Sequence, residues 1–184
     1  NRYIEKLDTN GFVILNLSDV SNNEKFVDTL YLFKKSYDEI IQNYTEPYSN
    51  HKNKKKYLLQ YNFEFNHKIK NIADPFVDIA TKYLGTLPIL ESFQMWYSPN
   101  DTDELIGSQL LHRDPEDFKQ LKIFIPIEEV SIENGPLNVI NKNQSEILYK
   151  NLINKNLIKR RNQKIEDKHA TDLNLINNKI LINS

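Results

Sequence analysis

The stretch that decides the fold runs from residue 112 to residue 140 and reads HRDPEDFKQLKIFIPIEEVSIENGPLNVI. It opens with His112 and Asp114, passes through a charged turn into an apolar run, and reaches a second apolar run after an Asn-Gly-Pro turn. Residues two apart in a strand project from the same face, so His112 and Asp114 are predicted to point together, with Arg113 on the opposite side. An imidazole nitrogen and a carboxylate presented together suit a divalent metal ion, but the same residues also suit a strand that ends in a solvated turn.

Short apolar runs on both sides of this stretch are separated by turn signals. The runs are PILESFQMWYSP, SQLLHRD, LKIFIPI and PLNVI, and the turns fall at Pro99-Asn100, Pro115-Glu116 and Asn134-Gly135-Pro136. Strands of this length and spacing are typical of an antiparallel sandwich or barrel. Because Pro115 ends the strand that carries His112, the His-x-Asp pair is predicted to lie at the rim of the β core.

The N-terminal part has a different period. NGFVILNL (Asn10 to Leu17) predicts a short strand, and Ser21 with Glu24 has the capping-box pattern of a helix start. Apolar residues then recur at three- and four-residue steps, which predicts a long amphipathic helix ending before Pro47. The members of this apolar stripe are Phe26, Leu30, Phe33, Tyr37, Ile40, Ile41 and Tyr44.

A second helix is predicted before Gly85. Asp74-Pro75 suits a helix start, although the helix could begin earlier, near Asn66, and Gly85 suits the position just after its end. YLLQYNFEF (Tyr57 to Phe65) is either a strand or an extended connector. The apolar face of this second helix comprises Ile72, Ala73, Phe76, Ile79, Ala80, Tyr83 and Leu84.

Helices first and strands second predict an α+β fold with a mainly β core. We expect a single domain over residues 1–184, in which a helical N-terminal part (1–86) supports a β core (87–184).

Composition excludes several classes of function. The 184 residues hold 24 Lys and Arg against 25 Asp and Glu, which gives no general attraction to nucleic acid or anionic membrane. The absence of cysteine excludes disulfides, thiolate zinc sites and cysteine nucleophiles. No apolar run approaches a membrane span and no signal peptide opens the chain, so a soluble cytoplasmic protein is expected. The basic run His51 to Lys56 is either an anion contact or a solvated loop.

The segment from His112 to Ile140 resembles the central block of the phytanoyl-CoA dioxygenase family. That family shows His-x-Asp, a short turn, a hydrophobic strand, an acidic turn and a Glu-Asn-Gly-Pro-Leu-type turn, which Glu133 to Leu137 reproduces. The resemblance is good from Phe93 to Ile140, loose before about Leu90 and poor after Ile140. It implies a double-stranded β-helix, a jelly-roll relative of the cupin type, and chemistry that depends on Fe(II) and 2-oxoglutarate.

By the same resemblance, His112 and Asp114 are the first two iron ligands. Related halogenating enzymes replace this carboxylate with a small residue, so Asp114 favours hydroxylation. Tyr97 and Gln109 are candidates for the 2-oxoglutarate pocket, with simple packing as the alternative. Lys122, polar within an apolar run, is either a pocket residue or a solvent-facing position.

The departures from the family pattern concern the end of the chain. Asn141 to Gln144 replaces a Pro-Gly-Ser-His-like segment. The family's third ligand, a later histidine, and the arginine that binds the 2-oxoglutarate carboxylate have no good match, because His169 lacks an apolar strand around it and Arg160 and Arg161 precede it. We therefore expect the chain to stop before the last strands of the β-helix and to be inactive alone.

The leading hypothesis is thus an Fe(II)- and 2-oxoglutarate-dependent dioxygenase that hydroxylates a small molecule, with no further catalytic residue assigned. The alternative is a catalytically inactive jelly-roll module for binding or interaction, or a fragment. No nucleic-acid or membrane partner is expected, and a homo-oligomer is left open. A hydrolytic metal site would need more ligands than the sequence offers.

Overall fold

A computed structural model describes residues 2–20, 24–43, 57–59, 66–97, 110–114, 119–158, 164–165 and 179–180. The chain divides into two compact units, which are described separately. The site unit comprises residues 1–13 and 103–184 and contains His112 and Asp114. The helical unit comprises residues 14–102.

Helices and short strands alternate along the described residues. The helices are α1 Arg2–Asn10, α2 Leu17–Val20, α3 Glu24–Asn43, α4 Asn66–Ala73, α5 Val77–Leu84 and α6 Lys142–Asn154, and a 3₁₀ turn, Asp74–Phe76, joins α4 to α5. The strands are β1 Tyr57–Leu59, β2 Met95–Tyr97, β3 Leu111–His112, β4 Leu137–Asn138, β5 Lys164–Ile165 and β6 Lys179–Ile180.

Helix α3 confirms the long amphipathic helix predicted for the helical unit. Phe26, Phe33 and Tyr37 recur on one face and are buried. The capping residues Ser21 to Asn23 and the last stripe residue, Tyr44, lie outside the described residues. Spacing by three or four residues therefore places the aromatic side chains in one core.

The second predicted helix forms as two consecutive helices with a tight turn between them. α4 begins at Asn66, the earlier of the two starts considered, and Pro75 lies in the 3₁₀ turn, where its missing N–H breaks no helical hydrogen bond. Gly85 ends α5 with φ +78°, a left-handed conformation that glycine adopts without steric cost.

Helices α3 and α4 pack through aromatic and polar contacts. The ring of Phe76, in the turn after α4, meets Phe26 edge-on at 5.9 Å. The buried Thr29 hydroxyl donates to the Lys25 carbonyl at 2.6 Å and accepts from Asn71 Nδ2 at 3.3 Å, so this polar group is satisfied inside the core.

The core of the site unit lies against α6. Its buried members are Leu148, Leu152, Ile158 and Ile165, and the partly buried side chains packed on them are Leu111, Ile140, Tyr149 and Ile153. Asn141 caps α6 by accepting a hydrogen bond from the Gln144 backbone N–H at 2.9 Å. The prediction of a β core over 87–184 missed this helix, whose sequence is largely polar and whose buried residues are Leu148 and Leu152.

The strand predicted over Asn10 to Leu17 is wrong. Asn10 belongs to α1, residues 12–16 form no ladder, and Leu17 begins α2. The Asn16 backbone N–H donates to Asp19 Oδ2 at 2.8 Å, so the local carboxylate favours a helix start over strand pairing.

The strand predicted over Leu121 to Ile127 is also wrong, since these residues join no ladder among those described. Ile123 is 45% exposed and its neighbour Phe124 is 67% exposed, which breaks the expected alternation. Pro126 has no backbone N–H to give to a partner strand. An apolar run alone therefore does not make a strand without a neighbour to pair with.

The turn predicted at Asn134-Gly135-Pro136 is present and leads into β4. The Asn134 side chain accepts from the Ser131 backbone N–H at 2.5 Å and donates to the Glu129 carbonyl at 2.8 Å. Gly135 has φ +80°, which explains why glycine follows the asparagine here.

The strands pair antiparallel in separate two-stranded ladders, β1 with β2, β3 with β5 and β4 with β6. The double-stranded β-helix stays a prediction. Within the described residues, no helix is both long and apolar enough to cross a membrane.

Candidate functional site

The predicted site begins on β3, whose two residues face in opposite directions. Leu111 pairs with Ile165 of β5 and packs on the α6 core, while His112 pairs with Lys164 and turns away from that core. The alternation of the strand therefore turns His112 away from the α6 core, and its predicted place at the rim of a β core stays a prediction.

The structure brings His112 and Asp114 together. His112 Nε2 lies 3.6 Å from Asp114 Oδ1, and the two side chains are 28% and 26% exposed. This pair is half-buried, which leaves it accessible from solvent but partly shielded from salt.

A hydrogen bond defines the roles of the two imidazole nitrogens. His112 Nδ1 lies 2.6 Å from the Leu110 carbonyl oxygen. A carbonyl only accepts, so Nδ1 carries the proton and Nε2 is the nitrogen turned toward Asp114. Histidines that bind metals commonly donate their second N–H to a backbone carbonyl in this way, which orients the ring.

Nε2 and Oδ1 face each other at 3.6 Å, too far apart for a hydrogen bond and close enough for one cation to contact both atoms. An imidazole nitrogen and a carboxylate oxygen suit a divalent ion in donor type.

Lys122 supplies a positive charge on the other side of the same carboxylate. Its Nζ donates to Asp114 Oδ2 at 2.5 Å, and its side chain is 45% exposed. The two oxygens of Asp114 thus have different neighbours, Lys122 at Oδ2 and His112 at Oδ1. Lys122 is thus exposed, as plain alternation predicted, and also contacts Asp114, so both interpretations offered for it stay open.

Arg113 projects to the side opposite His112, as the period of a strand predicted. Its side chain packs on α6. Its Nε and Nη2 donate to Ser145 Oγ at 3.2 and 2.9 Å. Its guanidinium lies 4.0 Å from the centre of the Tyr149 ring, a cation–π contact. Arg113, which lies between the two candidate ligands, therefore makes three contacts with α6.

Tyr149 is itself affected by this packing. Burial raises the pKa of the Tyr149 hydroxyl above its ordinary value of 10.0, while the charge of Arg113 and a hydrogen bond with the Arg113 backbone act in the opposite direction. Burial has the largest influence, so the neutral phenol is favoured in the folded protein.

Ser145 and Tyr149 were missed by sequence reasoning. They are four residues apart and so share one face of α6, and the helix itself could have been found from the asparagine cap and the Leu148–Leu152 spacing.

The other predicted site residues lie in the helical unit or outside the described residues. Tyr97 lies in β2 of the helical unit, opposite Tyr57. Gln109 lies outside the described residues, as do His169 and the two arginines before it. The assignment of Tyr97 and Gln109 to a cosubstrate pocket stays a prediction.

Within the described part of the chain, no group of His, Asp and Glu residues offers three or more metal ligands in one place. His112 and Asp114 fit two positions of a 2-His-1-carboxylate site, in donor type and in the orientation of the ring.

Comparisons with protein-family models, with curated proteins and with solved structures find no match to this chain. The resemblance to the phytanoyl-CoA dioxygenases therefore rests on the sequence from His112 to Ile140 alone and stays a prediction.

Proposed function

We propose that His112 and Asp114 are two ligands of a non-haem iron site, and that the protein is an Fe(II)- and 2-oxoglutarate-dependent dioxygenase of the phytanoyl-CoA dioxygenase type acting on a small molecule in the cytoplasm. One observation carries the proposal. His112 donates from Nδ1 to the Leu110 carbonyl and turns Nε2 toward the Asp114 carboxylate, which is how a protein presents a metal-binding imidazole.

Each residue of the site has a distinct task. His112 offers a neutral nitrogen, and Asp114 offers a negative oxygen that lowers the net charge of the bound metal. Arg113 keeps the backbone between them in place by its contacts with Ser145 and Tyr149. Iron with 2-oxoglutarate and O₂, when bound, supplies the oxidising power for hydroxylating a C–H bond.

The proposal also requires a double-stranded β-helix around the metal. β3 and β4 would be two of its strands, and the third ligand and the arginine for the cosubstrate carboxylate would come from outside the described residues. An arginine suits that task because its planar guanidinium binds a carboxylate through two parallel hydrogen bonds.

The test is the visible charge-transfer band that Fe(II) and 2-oxoglutarate produce together when added anaerobically. A protein that also carries the third ligand and the arginine is expected to show the band, and Asp114→Asn is expected to lose it while remaining folded by circular dichroism. Asp74→Asn is the matched control, because Asp74 is also a carboxylate paired with a lysine, Lys70, at 3.6 Å, in the helical unit. A band that survives Asp114→Asn would contradict the assignment of this ligand.

A second candidate, a jelly-roll module without catalysis, is favoured by the contact between Lys122 and Asp114. An ammonium group 2.5 Å from the carboxylate already balances its charge without any metal. On this hypothesis His112, Asp114 and Lys122 form a structural ion cluster. The protein would then show no Fe(II)-dependent band, and replacing any of the three side chains would change stability alone.

A further inference from the structure

Lys122 meets the proposed iron ligand at the oxygen that His112 leaves free. Its Nζ lies 2.5 Å from Asp114 Oδ2, and His112 Nε2 faces Oδ1 of the same group at 3.6 Å. The carboxylate is 26% exposed and the lysine 45%, so the pair is neither fully screened by water nor sealed in the core.

A lysine in this place has two opposing effects on a metal bound at Oδ1. The hydrogen bond orients the carboxylate so that Oδ1 faces the imidazole, which favours binding. The positive charge lies on the same carboxylate as the metal and repels it, which disfavours binding. A hydrogen bond that orients one rotatable side chain is weak compared with repulsion between a monovalent and a divalent cation that share a ligand.

We infer that Lys122 is a built-in competitor for the metal: it serves as the counter-ion of Asp114 when no metal is bound and lowers the affinity of the His112–Asp114 pair for divalent cations. This inference rests on the proposed iron site. It identifies Lys122 as the positioning residue that sets how readily the site is loaded, and it predicts that loading weakens the contact between Lys122 and Asp114.

The experiment is an anaerobic titration of the protein with Mn(II), followed by electron paramagnetic resonance, which counts free manganese and needs no turnover. Lys122→Met removes the charge but keeps an apolar chain of similar length. It is expected to bind Mn(II) more tightly than the unchanged protein by at least about tenfold, the lower limit that Coulomb's law sets at the dielectric constant of bulk water. Lys122→Arg keeps the charge and is expected to restore the weaker affinity.

Salt separates a charge effect from a change of shape. Added salt screens the repulsion, so the difference in affinity between Lys122→Met and the unchanged protein is expected to narrow as ionic strength rises. Lys119→Met is the control, because it removes one positive charge from the same segment, three residues before Lys122. Its Mn(II) affinity is expected to stay close to that of the unchanged protein.

The outcomes separate this inference from the proposed function. If Mn(II) binding depends on His112 and Asp114 but Lys122→Met binds no more tightly, the competitor role is wrong and the metal site stands. If neither the unchanged protein nor Lys122→Met binds Mn(II) through these residues, the metal site is wrong as well. If Lys122→Met and Lys119→Met raised the Mn(II) affinity equally, the increase would come from the net charge of the protein and not from the position of Lys122. That result would also overturn the inference.

Discussion

Helix α3 and the segment 121–127 differ in how far their aromatic side chains are buried. Phe26 of α3 is 1% exposed and packs edge-on against Phe76, whereas Phe124 is 67% exposed. A helix makes its backbone hydrogen bonds within itself, so its apolar stripe needs only a surface to pack against. An extended segment must find a partner for its backbone as well, and apolar content alone does not secure burial.

The largest expected change in stability comes from truncating the buried phenylalanine of α3, compared with the exposed phenylalanine of segment 121–127. Phe26→Ala empties a packed position and is expected to lower the free energy of unfolding by about 3–5 kcal/mol. Phe124→Ala removes a largely exposed ring and is expected to change it by about 0.5 kcal/mol or less. Chemical denaturation followed by circular dichroism measures both. Similar losses for the two variants would mean that Phe124 is buried in the folded protein and that the comparison fails.

Arg113 tests whether the two-residue strand β3 is held from outside. Arg113→Ala removes the contacts with Ser145 and Tyr149 and is expected to lower the free energy of unfolding by about 1–2 kcal/mol. Arg2→Ala is the control, since the Arg2 guanidinium lies farther from its ring, 5.7 Å from the centre of Tyr3.

A double-mutant cycle of Arg113→Ala with Ser145→Ala isolates their hydrogen bonds from other losses. Additive effects of the two changes would show that α6 does not anchor the strand through Ser145.

The smallest expected effect is a pH dependence from Tyr149. Its pKa is raised in the folded protein, so the folded state holds the phenolic proton more tightly than the unfolded state. The stabilisation is complete below the unfolded value of 10.0 and is lost as pH rises through the higher folded value. Tyr149→Phe is expected to lose less stability than the unchanged protein between pH 9 and about pH 11. If the free energy of unfolding fell equally with pH in both proteins, a raised pKa of Tyr149 in the folded protein would be contradicted.

Local patterns predicted the elements that need few distant partners. The stripe of α3, the end of α5 at Gly85 and the turn at Asn134-Gly135 all follow from side-chain spacing or from a backbone angle that one residue type adopts easily. The proximity of His112 and Asp114 was also predicted, although the strand itself ends at His112 and Asp114 lies two residues beyond it.

Contacts between distant residues were not predicted. Lys122 meets Asp114 from eight residues away, and Ser145 meets Arg113 from 32 residues away. No spacing rule encodes either contact. The strand expected at 121–127 failed for a related reason, since pairing depends on a partner that the segment itself does not specify.

The most direct test of the central claim is whether His112 and Asp114 bind one metal ion together. Mn(II) affinity is measured for the unchanged protein, for His112→Ala, for Asp114→Ala and for the double variant. If the two residues share an ion, each single variant loses most of the affinity and the double variant loses little more, so the effects are strongly non-additive. Unchanged Mn(II) affinity in both single variants would contradict the claim.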